Sequence, residues 1–167
     1  MAAPAGRAAE LVQLLQLAPH PEGGWYREIF RSASTAPQAA GRGQRQALTA
    51  IDFLLARGER SAWHRVASDE AWFLLEGGPL RLWLVPPDLG RLVLLTLGAV
   101  DGSGQHPRHV VPAHWWQAAA PAPGASFALV GATVGPGFDF ADFSFGRDHP
   151  ALVQALPALH PGAAALL

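Results

Sequence analysis

From residue 47 to residue 146 the chain alternates apolar and polar side chains with a period of two, the spacing of strands that bury one face. The runs are ALTAIDFLL (47–55), SAWHRV (61–66), EAWFLLEG (70–77), LRLWLV (80–85), RLVLLTLG (91–98), HVVPAHWWQAA (109–119), SFALVGATV (126–134) and FDFADFSFG (138–146). Gly, Pro and Asp turns divide them, and no helical pattern intervenes, which predicts an antiparallel sandwich or barrel. WYREIF (25–30) reads as an earlier strand, with Trp25, Arg27 and Ile29 on one face and Tyr26, Glu28 and Phe30 on the other. In the last run Phe138 and Phe140 share a parity that Phe143 and Phe145 do not, so a bulge or bend is expected near Ala141 and Asp142.

Only the two ends show helical spacing. AAELVQLLQL (8–17) puts Leu11, Leu14 and Leu15 on one side, and Pro19 stops it. HPALVQALPAL (149–159) predicts a final helix that Asp148 can cap. PHPEGG is turn punctuation, and SASTAPQAAGRGQRQ (32–46) is small and polar enough to be a long loop. No repeat or linker is visible, so residues 1–167 are expected to form one domain with a barrel core at about 22–146.

Composition narrows the functional classes. Half of the 167 residues are hydrophobic, enough for a real core, and only 15% are charged, with a net charge of -1. Neither a basic stripe nor a recognition helix is present, so no nucleic-acid partner is expected, and no run reaches membrane-spanning length. Glu10, Gln13 and Gln16 interrupt the apolar N-terminal run, which argues against a signal peptide and for a cytoplasmic protein. Without cysteine, any metal must be held by histidine and carboxylate.

In a chain this sparing of charge, SAWHRVASDEAWFLLEG (61–77) sets His64, Asp69 and Glu70 between Trp63 and Trp72. A metal site, an acid/base pair in a ligand pocket and an ordinary strand-turn-strand all fit these residues. The spacing resembles the first motif of the cupin superfamily, His-x-His, a short gap, Glu, six residues, Gly: His64, Glu70 and Gly77 match, while Val66 stands where a second His belongs. Pro112, His114 and Gln117 occupy the places of Pro, Gly and His in the second motif, Pro-x-Gly-x-x-His. LAPHPEGGWYRE, LTAIDFLL, SAWHRVASDEAWF, VVPAHWWQAA and VGPGFDFADF occur in the order seen in a small cupin family catalogued as a domain of unknown function. That resemblance implies an all-β fold, a double-stranded β-helix (jelly-roll) barrel with short terminal helices. It also implies a common dimeric state, here expected as a homodimer through exposed strand faces, and similarity to the dTDP-sugar epimerase branch. It does not imply an activity.

Placed on such a barrel, the alternation turns His64 and Val66 inward, and an inward Glu70 takes Trp72 with it. The converging faces give a pocket of His64, Glu70, Gln117 and either Arg27 or Tyr26, walled by Trp72, Trp115 and Phe138. One reading is proton transfer on a sugar or nucleotide derivative, with His64 as base, Tyr26 as acid and Glu70 orienting. A second is a non-catalytic cupin that binds or senses the same kind of small molecule. A third is a single divalent metal on His64, Glu70 and Gln117, disfavoured because Val66 offers no ligand and an amide is a weak substitute for imidazole. Plainer roles also compete: a hydrogen-bonded core histidine for His64, turn chemistry for Asp69, and core or interface packing for Trp115 and Trp116. Glu22-Gly23-Gly24 is read as a tight turn, His20, His149 and His160 as loop residues, and His106, His109 and His114 as too dispersed over strand faces to share a metal.

Overall fold

In the computed structural model, residues 4–37 and 43–167 are described. Helix α1 (Arg7–Leu14) leads into β1 (Ala18–Pro19), β2 (Trp25–Arg31), a short ladder of β3 (Thr35–Ala36) with β4 (Arg45–Gln46), and β5 (Thr49–Ala56). There follow β6 (Ser61–Val66), β7 (Asp69–Gly77), β8 (Leu80–Val85), β9 (Val93–Leu97), β10 (Arg108–Val111), β11 (Trp116–Pro121), β12 (Phe127–Gly135), β13 (Phe143–Phe145) and helix α2 (Pro150–Leu159). One sheet has the order β1-β2-β5-β12-β7-β10 and the other β13-β6-β11-β8-β9. From β5 the chain crosses between sheets at almost every connection, β8 to β9 excepted, and its ladders are antiparallel. The result is a double-stranded β-helix, the jelly roll.

Why the alternation is blurred in LRLWLV is plain from the packing. Leu80, Leu82 and Leu84 face between the sheets, where they meet Phe53, Trp72, Val111 and Val130. Trp83 and Val85, on the opposite face, are also buried, with Trp63, Trp116 and the α2 residues Leu152 and Leu156. Helix α2 thus covers the outside of the five-stranded sheet, and α1 covers one end of the other through Ala8, Leu11, Leu54 and Leu129. A strand buried on both faces has no polar side to show.

Several expectations need correction. The run 109–119 is not one strand: Pro112 has no N–H to give a ladder, His114 takes φ 68°, and the chain changes sheet there between β10 and β11. Residues 138–146 are not continuous strand either. Asp139 accepts a hydrogen bond from the Ala141 N–H and opens a 3-10 turn over Phe140–Asp142, at the place where the parity change falls, before β13 begins. Asp148 does not cap α2; the N-cap is His149 without a side-chain bond, and Pro150, with φ preset, starts the helix. Helix α1 stops at Leu14, short of 17, and the chain turns at Gln16 with φ 53°. Part of the long loop 32–46 is the β3–β4 ladder, and its residues 38–42 lie outside the described residues. Among the described residues no helix is long and apolar enough to cross a membrane.

Candidate functional site

The inner face of the six-stranded sheet, strands β6 and β13 of the other sheet and the turns around them enclose a cavity of about 370 Å³. Strand β2 supplies Tyr26 and Glu28, β5 Thr49 and Ile51, β6 His64 and Val66, β7 Glu70, and the segment before β13 Phe138, Asp139 and Phe140. A bulge in β2 between Glu28 and Phe30 resets the parity, so Arg31 joins Glu28 on the cavity side. Arg31 donates to both Glu28 oxygens, at 2.9 and 2.7 Å, and to the Phe138 carbonyl at 3.2 Å.

Of the residues singled out in the sequence, Tyr26, His64, Glu70 and Phe138 line this cavity. Gln117 and Trp72 stand behind it as a chain of bonds: Trp72 Nε1 donates to Gln117 Oε1 at 3.1 Å, and Gln117 Nε2 donates to Glu70 Oε2 at 2.6 Å. Neither lines the cavity, and the chain of bonds ends on Glu70. Arg27 is on the other face of β2, where it donates to Gln16 at 3.4 Å. Trp115 precedes β11, packs against the central core, and has Arg91 over its ring. Neither is part of the cavity wall.

Sequence reasoning passed over His20 and Glu22, which the fold brings to the floor. Gly23 and Gly24 take φ 110° and 73°, and a Cβ on either would lie 2.1 Å from the Arg60 carbonyl or 2.7 Å from the Leu54 carbonyl. Only a turn without side chains can press this closely on β5 and the β5–β6 connection, and it carries Glu22 inside with it. There Ser61 Oγ donates to Glu22 Oε1 at 3.0 Å, and His64 Nδ1 lies 3.2 Å from Glu22 Oε2. His64 Nδ1 also meets the Ala62 carbonyl at 2.8 Å, which places the proton on Nδ1 and leaves Nε2 as the nitrogen open to a ligand. His20 Nδ1 accepts the Glu22 N–H at 3.2 Å, and its ring stands edge-on to Tyr26.

Burial sets the protonation of this floor. It pushes Glu22 up to about 8, only partly offset by Ser61, and Glu70 up to about 7, against the pull of His64 and Gln117. It also takes His20 down to about 4, and lowers His64 despite the carboxyl of Glu70 and the Ala62 carbonyl. Near neutrality His64 is therefore a neutral imidazole with a free lone pair, close to carboxyls that hold or share protons.

A stability test follows. From pH 6.5 upward the folded histidines are neutral and the unfolded ones shed their remaining protons, a smaller and opposite contribution, while Glu22, and Glu70 up to about 7, hold protons that their unfolded counterparts, at 4.5, have lost. The folded state then binds more protons, so stability must fall as pH rises towards 8, by about 1 kcal/mol per pH unit for each carboxyl still protonated. Below pH 6.5 the histidines oppose this trend. Urea midpoints at pH 6.5 and 8 are expected to drop for the parent chain and to drop less for Glu22→Gln; equal slopes would assign the proton elsewhere.

The metal set that cupins suggest does not fit these residues. Both ends of the Gln117 amide are engaged, Val66 has no donor atom, and among the described residues no three His, Cys, Asp or Glu side chains are grouped to hold an ion.

The chain is similar over nearly its whole length to two solved structures. A hypothetical protein from Leishmania major shares 31% identity over 96% of each chain at a TM-score of 0.81. A protein from Shewanella oneidensis shares 33% identity over 97% of this chain and 95% of its own, with a TM-score of 0.78. A cupin-2 domain from Rhodospirillum rubrum, at 16% identity over 89% of this chain and 79% of its own, has a TM-score of 0.56 and shows the fold alone. No curated protein matches the chain. A family model described as Cupin superfamily (DUF985) matches residues 9–146, and the chain belongs to that family.

Proposed function

We propose that this cupin binds a small polar ring compound in its barrel cavity and transfers a proton on it, as a sugar-type isomerase or epimerase would. The observation that supports this most is His64: it is 3% exposed, its Nδ1 is occupied by Ala62, and its Nε2 is left for whatever fills the cavity beside Tyr26 and Glu70. His64 Nε2 takes a proton from carbon, the Tyr26 hydroxyl supplies one, and Glu70, steadied by Gln117, holds the ring. The test is solvent exchange: sugars and nucleotide sugars are incubated with the protein in D2O, and loss of a carbon-bound proton signal is followed by NMR. Exchange supports catalysis. Ligand binding without any exchange across the panel would instead favour the second reading, a non-catalytic binding cupin, which the largely apolar wall of Ile51, Val66, Ala132 and Val134 also suits.

Assembly as a homodimer belongs to the same proposal. Phe30, Ala50, Thr133, Ala71 and Val110 are cross-strand partners on the outer face of the six-stranded sheet, with Phe30 51% and Val110 60% exposed. Such a row of small and apolar side chains suits face-to-face packing of two copies. Val110→Arg is expected to shift the chain from dimer to monomer in sedimentation while leaving it folded; a parent chain that is monomeric at every concentration would remove the idea.

A further inference from the structure

The charge balance of the cavity says more about the ligand than its size does. Its described lining carries four carboxyl groups, Glu22, Glu28, Glu70 and Asp139, against one guanidinium, Arg31. The Arg31 charge is spent: its Nε and both terminal nitrogens are bonded to Glu28 and the Phe138 carbonyl. No lysine exists anywhere in the chain. On the floor, among the described residues, Glu70 accepts from the neutral amide of Gln117, and Glu22 from the hydroxyl of Ser61 with the neutral His64 Nδ1 at 3.2 Å and His20 beside it. At the mouth, Asp139 faces solvent, with one oxygen bonded to the Ala141 N–H.

One side of the remaining wall is aromatic. Phe138, Phe140 and Phe143 pack edge to face with centroids 5.0 to 6.2 Å apart, and Phe143 stacks on His64 at 5.4 Å. Ring faces attract cations, and Glu70, which burial pushes up to about 7 and which is therefore largely ionised at pH 7.5 with a neutral amide as its donor, disfavours an anion beside it. Independently of the acids, His64 Nε2 has no hydrogen-bond partner among the described residues although the side chain is 97% buried, so the cavity holds an acceptor waiting for an N–H or O–H.

We propose that the ligand enters this cavity with a protonated amine, an organic ammonium on a ring-sized body, and that carboxylate or phosphate groups are kept out. This rests on the small-molecule reading above and narrows it. The ammonium supplies the positive charge that Glu70 lacks, adds to the pull of Asp139 at the mouth, and brings N–H groups to the open Nε2 of His64. The ring lies along the phenylalanines, with its less polar face against them. An amino-bearing sugar or a cyclic amine belongs to this class; an organic diacid does not.

Three probes with one ring and three head-group charges test it: benzylammonium, benzyl alcohol and benzoate, titrated into the full chain at pH 7.5 by calorimetry. Benzylammonium is expected to bind at least about tenfold tighter than benzyl alcohol, and benzoate weakest. In Glu28→Gln, which removes one carboxylate and releases Arg31, the preference for ammonium over benzoate should shrink by about tenfold. Asp139→Asn, which keeps the turn-capping oxygen, should weaken the ammonium alone. Equal binding of the alcohol, or preference for benzoate, would overturn the ammonium and leave the cavity a small-molecule site. Heat from none of the three would remove both.

Discussion

Trp72→Ala is expected to destabilise the protein by about 3–5 kcal/mol, the largest single-residue effect anticipated here. The indole is 1% exposed between the sheets, where Phe53 meets it edge to face at 5.9 Å, so truncation leaves a hole that the closed barrel cannot collapse to fill. A second penalty adds to the first. Gln117, 0% exposed, loses the N–H that satisfies its Oε1, and an orphaned buried acceptor costs about 1–3 kcal/mol. Trp72→Phe separates the two contributions, because it keeps much of the ring volume and removes only the donor; its loss should fall near the lower figure. Urea denaturation of both variants checks this. A Trp72→Ala loss below about 1 kcal/mol would mean that the site repacks and that Gln117 and Glu70 do not depend on the indole.

That chain of bonds also marks where sequence reading succeeded and where it stopped. Periodicity put Glu70 and Trp72 on one face of their strand and His64 with Val66 on one face of theirs, and the barrel implied by the family resemblance turned those faces inward. It could not say how deep each would lie, and so treated Trp72 and Gln117 as ligand-facing when they are the layer behind Glu70. Arg27 and Tyr26 were left as alternatives, since strand parity does not say which face is inner; the register Tyr26 to Phe53 and Arg27 to Asp52 decides for Tyr26. Arg31 was hidden by a bulge, which no pattern of period two reveals. Glu22 and His20 were hidden by the opposite problem, for they sit in a turn where no periodicity exists. The one available signal was the pair of glycines after Glu22, which marks a backbone pressed against another and therefore a turn that can be buried. The break at Pro112 was also open to reading, because proline inside a run argues against a continuous strand.

Replacing His64 with glutamine is expected to lower ligand proton exchange by about 10²- to 10⁴-fold while ligand affinity changes little. The geometry gives the reason for the split. Glutamine approximates the reach of the imidazole and can keep a polar contact with Ala62 or Glu22, yet its amide has no lone pair basic enough to take a proton from carbon. Glu70→Gln should behave differently, weakening binding more than exchange per bound ligand, because Glu70 holds the ring and does not carry the proton. Tyr26→Phe should lower exchange without lowering affinity if the phenol supplies the second proton. The pH profile of exchange adds a readout that a structural role would not move: burial lowers the His64 pKa, so the base is already free at neutral pH and its loss on acidification is expected below the ordinary histidine value of 6.5, apart from any inflection near 7 that belongs to Glu70. If His64→Gln kept full exchange, or lost binding and exchange in equal measure, His64 would be a contact and not a base. The barrel would then be a receptor for its ligand, with the same carboxyls and phenylalanines choosing what enters.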